Sequence, residues 1–179
     1  MAVYTDVSDE ELVGFVAGYD IGEVLALKGI AEGVENSNYL LHTRQGYFIL
    51  TLYEKRVEPA DLPFFLGLMQ HLAARGISCP QPVANRAGET LGTLAGRPAA
   101  VITFLDGMWV RRPQRVHCAE LGKTLAEFHN AGRDFGIVRP NALSVGSWRP
   151  LFAQSRDQAD TIVEGLAGEL TEELDVLEA

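Results

Sequence analysis

Apolar and polar positions follow two different periodicities in the first third of the chain. Ser8 and Glu11 form an S-x-x-E stretch, which is typical of a helix capping box, and apolar residues follow it at helical spacing. Three apolar, partly alternating runs come next, separated by glycine- and asparagine-containing stretches: "VLALKGI", "NYLLHT" and "YFILTLYE". The pattern predicts a short helix and then an antiparallel meander of three strands.

Helical spacing returns between Asp61 and Arg75, and Gly76 follows at the point where a helix would end. The prolines of "SCPQPV" favour an extended path, because each restricts the residue before it. Two further strands are predicted near residues 89–94 and 99–104, with "AGRP" between them. The predicted fold class is therefore α+β, with five strands and one helix inserted after the third.

The pattern changes after residue 104. "FLDGMWVRRP" is a break in composition, and a helix ended by "NAG" is predicted beyond it. Residues 133–149 are poorly periodic and predict a long loop, whereas leucines at helical spacing predict a last helix over residues 166–177. We therefore predict a small lobe at 1–104, a hinge at 105–112 and a helical part at 113–179.

Composition narrows the class of protein. The 179 residues are 47% hydrophobic and carry a formal charge of −9 without any run of Lys or Arg, so nucleic acid is not an expected partner. Cys79 and Cys118 are far apart and predict reduced thiols rather than a disulfide or a zinc site. No stretch has the ~18 to 20 apolar residues of a membrane span. We expect a cytoplasmic protein with no membrane partner.

The stretch "KGIAEGVENSNYLLHT", residues 28–43, contains the most flexible turn of the predicted sheet. It matches neither a phosphate loop of the G-x-x-x-x-G-K-[ST] type nor a G-x-G-x-x-G fingerprint. A glycine-containing hairpin nevertheless exposes backbone N–H groups, and Asn36, Ser37 and Asn38 add short polar side chains. Two interpretations stay open at this point: an anion-binding turn and a solvated hairpin tip.

The order of elements resembles the small lobe of the protein kinase-like superfamily. The chain more narrowly resembles bacterial homoserine kinases of the aminoglycoside phosphotransferase-like type, and the resemblance covers essentially all of it. Four stretches carry it: "GIAEGVENSNYLLHTRQGYFILTLYEKRV", "LPFFLGLMQHLAARGISCPQPV", "GRPAAVITFLDG" and "RPNALSVGSWRPLF". The resemblance implies a protein kinase-like fold, with a five-stranded antiparallel small lobe followed by an incomplete helical lobe.

The resemblance also implies a reaction and a set of contacts. Such enzymes transfer the γ-phosphoryl group of ATP to the hydroxyl of L-homoserine, with Mg²⁺ bridging the phosphates, and the protein mainly positions the groups and neutralises charge. The turn would cover the phosphates through Gly33, Val34, Glu35, Asn36, Ser37 and Asn38. The hinge would meet the adenine through Thr103, Phe104, Leu105 and Asp106.

One departure from the superfamily lies in the small lobe. The third strand usually carries a lysine that reaches the phosphates, and the inserted helix a glutamate that pairs with it. Here Thr51 takes the strand position and Phe64 and Phe65 the helix position. We include Thr51 among the expected nucleotide contacts. Lys28 and Lys55 could each supply a cation, and either could equally be a solvated surface lysine.

A second departure concerns the chemistry itself. The sequence contains no H-x-D-x-x-x-x-N catalytic loop, so we expect the catalytic base and the metal ligands beyond Ala179 and no phosphotransferase activity from these residues alone. Two alternatives stay open: a related phosphotransferase that acts on an aminoglycoside, choline or another hydroxyl compound, and a non-catalytic binding module. The pattern leaves the oligomeric state undetermined.

Overall fold

The computed structural model describes residues 3–54 and 57–179. The helices are α1 (Asp9–Val16), α2 (Leu62–Ala74), α3 (Arg115–Gly132), α4 (Val145–Ala153), α5 (Arg156–Ala159) and α6 (Leu166–Glu178). The strands are β1 (Val24–Gly29), β2 (Asn36–Thr43), β3 (Gly46–Tyr53), β4 (Gly92–Leu94) and β5 (Arg97–Thr103), and a short 3₁₀ turn, Pro59–Asp61, precedes α2. The predicted α+β class with a helix inserted after the third strand is confirmed.

The capping box predicted for α1 is present. The Ser8 hydroxyl accepts a hydrogen bond from the Glu11 N–H at 3.3 Å, and the Glu11 carboxylate accepts one from the Ser8 N–H at 3.1 Å. These bonds satisfy N–H groups that the first turn of a helix leaves unpaired. The Ser8 contacts also lower the pKa of the Glu11 carboxyl below its ordinary value. The sequence signal and the local structure therefore agree at this end of α1.

The five strands form one antiparallel sheet in the order β1-β2-β3-β5-β4. Side chains alternate between its two faces. One face packs against α1 through a cluster that includes Leu12, Leu41, Leu50 and Val101. The other face packs against α2, where Leu66 contacts Ala100 and Ile102. Both faces of the sheet are thus covered, and the buried core lies on each side of it.

Glycine-dependent turns define two of the element ends. Gly76 has a φ of +82° and closes α2, where the Ile77 N–H reaches the Leu72 carbonyl at 3.1 Å in a Schellman arrangement. The β4–β5 hairpin turns through Ala95 and Gly96, both with positive φ. The hairpin loop therefore needs only these two residues, and the "RP" of the predicted four-residue turn belongs to β5.

The part of the chain after β5 differs from the prediction in one place. Residues 133–149 were expected to form a loop, but α4 begins at Val145. Gly146 and Pro150 lie inside this nine-residue helix and hide its periodicity, since both residues are rare in helix interiors. The predicted long loop is therefore wrong over its last five residues, and the predicted last helix is confirmed as α6.

The described chain forms two compact units, the first ending at Val138 and the second comprising Arg139–Ala179. The first contains the sheet, α1, α2 and α3. In the second, Arg149 of α4 binds Asp175 and Glu178 of α6 at 2.7 and 2.8 Å. The predicted boundaries at 104 and 112, which concern functional lobes, stay a prediction. In the described part of the chain, no helix is both long enough and apolar enough to cross a membrane.

Candidate functional site

A pocket of about 390 Å³ lies at the base of the glycine-containing turn. The strand register places Lys28 beside Leu40 and Leu40 beside Ile49, so these three side chains share one face of the sheet. The complete lining consists of Lys28, Gly29, Ile30, Ala31, Glu32, Leu40, Ile49 and Phe104. A flat apolar ring fits such a lining, and the polar groups of the turn lie at its edge.

The turn itself links Gly29, the last residue of β1, to Asn36, the first of β2. Gly33 adopts a φ of +105°, which a residue with a side chain rarely adopts. The Ile30 N–H donates to the Asn38 carbonyl at 2.8 Å and closes the base of the turn. Val34 is 70% exposed at the tip. Residues 31–35 of this segment are all exposed.

Thr51 and Asn38 form a pair on the pocket face of the sheet. They lie opposite each other in the β2–β3 register, and the Thr51 hydroxyl donates to the Asn38 amide oxygen at 2.8 Å. Thr51 is buried. A neutral hydrogen-bonded pair therefore occupies the third-strand position at which the superfamily resemblance implied a charged lysine.

Ser37 points to the opposite face. The side chain is fully buried, and its hydroxyl donates to the Glu54 carboxylate at 2.6 Å while accepting the N–H groups of Tyr4 and Thr5. Glu54 in turn binds Arg97 at 3.2 Å. The Ser37 hydroxyl therefore donates its proton to Glu54 and not to the turn, and a contact of Ser37 with a phosphate stays a prediction.

The two other polar groups predicted in the turn have different positions. The Asn36 amide oxygen accepts the Glu54 N–H at 3.4 Å, which ties the start of β2 to the end of β3. Glu35 is exposed next to it. Contacts of Gly33, Val34, Glu35, Asn36, Ser37 and Asn38 with phosphates stay a prediction.

The predicted hinge begins at an anchored residue. Thr103 exchanges two hydrogen bonds with Gln81, its N–H donating to the Gln81 carbonyl at 2.8 Å and its hydroxyl accepting the Gln81 N–H at 2.9 Å. Phe104 then lines the pocket, with its ring 6.1 Å from that of Tyr47. Leu105 and Asp106 are exposed beyond it. The structure thus brings one hinge residue to the pocket, and adenine contacts of the four predicted residues stay a prediction.

The inserted helix presents an apolar side to the sheet. Leu66 and Met69 of α2 pack toward Ala100 and Ile102. Phe64 instead contacts the Phe135 ring at 5.6 Å, beyond the end of α3. Since the helix sequence contains no glutamate, a lysine at position 51 would meet no carboxylate from α2. The neutral Thr51 and the apolar α2 are therefore mutually consistent, because an unpaired buried charge is costly.

Positive charge at the pocket comes from β1. Lys28 is the cation among the lining residues, and Glu32 is the anion. The other candidate, Lys55, lies outside the described residues. Within the described ranges, no group of three or more His, Cys, Asp and Glu side chains is arranged to hold a metal ion.

A second cavity of about 510 Å³ lies near the end of α1. Arg86 is its cation, but Arg86 already binds Asp20 at 2.7 Å and donates to the Ala17 carbonyl at 2.9 Å. With Asp20 paired to Arg86, the remaining charged group of the lining is the anion Glu23, which binds Arg44 at 2.8 Å. An anionic ligand therefore suits the turn pocket better than this larger cavity.

Comparison with known proteins decides the family. The sequence profile of the phosphotransferase enzyme family matches residues 26–179. The chain belongs to this family. As a phosphotransferase-family chain it aligns with proteins named homoserine kinase over all of its 179 residues: it is 66% identical to that of Nitrobacter winogradskyi and 65% to that of Afipia carboxidovorans. It spans 55% of the length of each, about half of these curated relatives.

Solved structures give the same fold for this phosphotransferase-family chain. An aminoglycoside phosphotransferase from Alicyclobacillus acidocaldarius has a TM-score of 0.54 at 18% identity, over 92% of this chain and 52% of the other. A spectinomycin phosphotransferase, solved with ADP and spectinomycin, has a TM-score of 0.54 at 14% identity, over 93% of this chain and 59% of the other. The implied fold is therefore confirmed.

Sequence reasoning missed Glu54, Arg97 and Tyr4, which surround Ser37. A polar residue at the end of an apolar strand is an ordinary strand-end feature, so Glu54 gave no separate signal. The contacts depend on which face Ser37 occupies, and the strand register decides that. The alternating pattern of this strand places Ser37 among its buried positions, and that was the available hint that its hydroxyl needs a partner.

Proposed function

We propose that this chain forms the nucleotide-binding part of a homoserine kinase, which transfers the γ-phosphoryl group of ATP to the hydroxyl of L-homoserine. The observation that carries the proposal is identity of 62–66% with relatives of that name along essentially the whole chain. Since the chain spans about half of those relatives, the reaction is proposed for the protein that contains it.

The pocket supports ATP as the phosphoryl donor. Its apolar side, formed by Leu40, Ile49 and Phe104, suits an adenine ring, and the turn suits the phosphates. The long side chain of Lys28 starts on the same face and can extend toward a phosphate oxygen. A hydrogen bond between a lysine and an anionic oxygen contributes about 1.5–3 kcal/mol. The ADP bound to the related spectinomycin phosphotransferase also supports nucleotide binding.

Mg²⁺ belongs to the proposal as the ion that would accompany ATP. When bound it would neutralise charge on the transferring group. The described residues contribute the turn and Lys28 to charge neutralisation, and the metal ligands are assigned outside these 179 residues. The group that accepts the proton of the homoserine hydroxyl is likewise assigned outside these 179 residues. It would act when the new P–O bond forms and the bond to ADP breaks.

The experiment uses the product of the complete open reading frame that encodes this chain. It is incubated with ATP, Mg²⁺ and L-homoserine, choline or an aminoglycoside in parallel, and phosphorylated product is followed by phosphorus NMR. We expect O-phosphohomoserine and little product from the other two acceptors. If the enzyme preferred choline or the aminoglycoside, that compound and not homoserine would be its substrate.

The 179-residue chain serves as the second arm of that experiment. We expect it to bind ATP and to give no turnover, because the sequence holds no H-x-D-x-x-x-x-N loop. Turnover by this chain alone would refute the assignment of the catalytic groups. Absence of both activity and ATP binding, in the chain and in the complete product, would favour the non-catalytic binding module.

A further inference from the structure

The segment before α1, residues Val3 to Thr5, contacts the glycine-containing turn at its beginning, tip and end. Val3 covers the backbone of Gly29 so closely that a Cβ there would lie 2.9 Å from its methyl group. The Tyr4 hydroxyl donates to the Val34 carbonyl at 3.1 Å. The Tyr4 and Thr5 N–H groups donate to the Ser37 hydroxyl at 2.8 and 3.1 Å. We call this segment the N-terminal strap.

Ser37 connects the strap to the sheet. Its hydroxyl donates to Glu54, whose carboxylate is 9% exposed and is held from the other side by Arg97. The strap is held a second time where the Tyr39 hydroxyl donates to the Thr5 carbonyl. These contacts lie on the face opposite to Leu40 and Ile49, because side chains alternate along β2. The strap therefore supports the turn from the side away from the pocket.

The turn needs such support more than the rest of the sheet does. Residues 30–35 lie outside the β1–β2 ladder, and Gly33 widens the range of conformations available to them. Fixing a residue's backbone costs conformational entropy, so a ligand that must order the turn itself binds more weakly. A turn that is already ordered before binding removes part of that cost.

We propose that the N-terminal strap is a positioning element that holds the turn in its nucleotide-binding conformation, with Tyr4 and Ser37 as its positioning residues. The inference rests on the proposed function for the nature of the ligand. Tyr4 is 57% exposed and its hydroxyl bonds the exposed turn tip, so the bond adds little to the core. Its loss should therefore change the turn without unfolding the protein.

The test compares Tyr4→Phe and Ser37→Ala with wild type in the product of the complete open reading frame. Three quantities are measured: the Kd for ATP and for adenosine by calorimetry, amide hydrogen exchange of residues 30–35, and Tm. For Tyr4→Phe we expect a Kd for ATP about three- to tenfold higher, the value of one lost hydrogen bond, with adenosine binding and Tm unchanged. Exchange in the turn should be faster. Ser37→Ala, which removes three contacts, should weaken ATP binding further.

Tyr19→Phe is the matched control. It also removes one phenolic hydroxyl, and in the described part of the chain that hydroxyl is buried without a hydrogen-bond partner. It should leave ATP binding and turn exchange at wild-type values. Equal exchange rates and equal Kd values for Tyr4→Phe and wild type would overturn the proposed positioning role of the strap. If wild type bound no ATP, the proposed function would fail, and the exchange rates alone would decide whether the strap orders the turn.

Discussion

At the scale of single residues, the cation that lines the turn pocket lies on the first strand, and the third strand has the neutral Thr51. Thr51 and Asn38 satisfy each other's hydrogen bonding on β3 and β2, and the adjacent helix offers an apolar surface. Lys28 lies on β1 at the pocket with no ion pair to any described carboxylate within 4 Å. A free ammonium group beside a pocket for a polyanion is available to bind the ligand rather than a protein carboxylate.

Lys28→Met should therefore weaken ATP binding selectively. Methionine keeps the length of the side chain and removes its charge, so we expect about a tenfold higher Kd for ATP and no change for adenosine. Lys123→Met is the control, because Lys123 lies on α3 and is paired with Glu127 at 4.0 Å. Calorimetric titrations of both variants give the comparison. Equal loss of ATP and adenosine binding would show that Lys28 acts on the pocket's shape and not on the phosphates.

Asp134 is a residue whose contribution should depend on pH. Its carboxylate binds Arg75 at 2.5 Å and His71 at 3.2 Å, and the Arg75 contact lowers the pKa of Asp134 below its ordinary value of 3.8. A carboxyl with a lowered folded-state pKa stabilises the fold above its unfolded pKa, and the contribution is lost as pH falls through the folded value.

The variant Asp134→Asn tests this dependence. We expect it to be less stable than wild type at about pH 6 and to match wild type well below about pH 3, where the carboxyl is protonated in both states. Urea unfolding at the two pH values gives the difference in free energy. A difference that stayed constant with pH would mean that the charge of Asp134 is not involved. The effect should be small, because the pair is exposed and screened.

At the scale of elements, α2 is held to the sheet by a small apolar contact. Leu66 is 2% exposed and packs on Ala100 and Ile102. Leu66→Ala should lower the free energy of unfolding by about 2–5 kcal/mol, through lost burial and the cavity left behind. Leu121→Ala on α3, where the side chain is 69% exposed, should change it by less than about 0.5 kcal/mol. Chemical denaturation measures both, and similar values for the two variants would contradict this packing.

Elements with a local signal could be predicted from the sequence, and those without one could not. The capping box of Ser8 and the stop at Gly76 fix α1 and α2 by interactions within a few residues. The helix α4 has no such signal, since Pro150 interrupts its pattern. At the site, flexibility of the turn was visible in Gly33, whereas the contacts of Ser37 depend on residues 17 and 33 positions away. Long-range pairing of this kind is set by register.

At the scale of the whole molecule, the proposed binding of an anionic nucleotide by an acidic chain would depend on local groups. The formal charge is −9, so the field of the protein as a whole opposes ATP. The turn pocket is lined by one cation, Lys28, and one anion, Glu32, whereas the cavity near α1 is lined by one cation, Arg86, and two anions, Asp20 and Glu23. Of these two, the cavity near α1 has the larger volume, and the turn pocket has the less negative lining.

The most direct test of the account is a titration of the ¹⁵N-labelled 179-residue chain with ATP, followed by NMR. Binding at the turn pocket predicts shifts of the amides of residues 30–36 and 104–106, with those of Asp20, Gly22 and Gln45 at the second cavity unchanged. Shifts confined to the second cavity, or no shifts at millimolar ATP, would contradict the assignment of this turn as the nucleotide site.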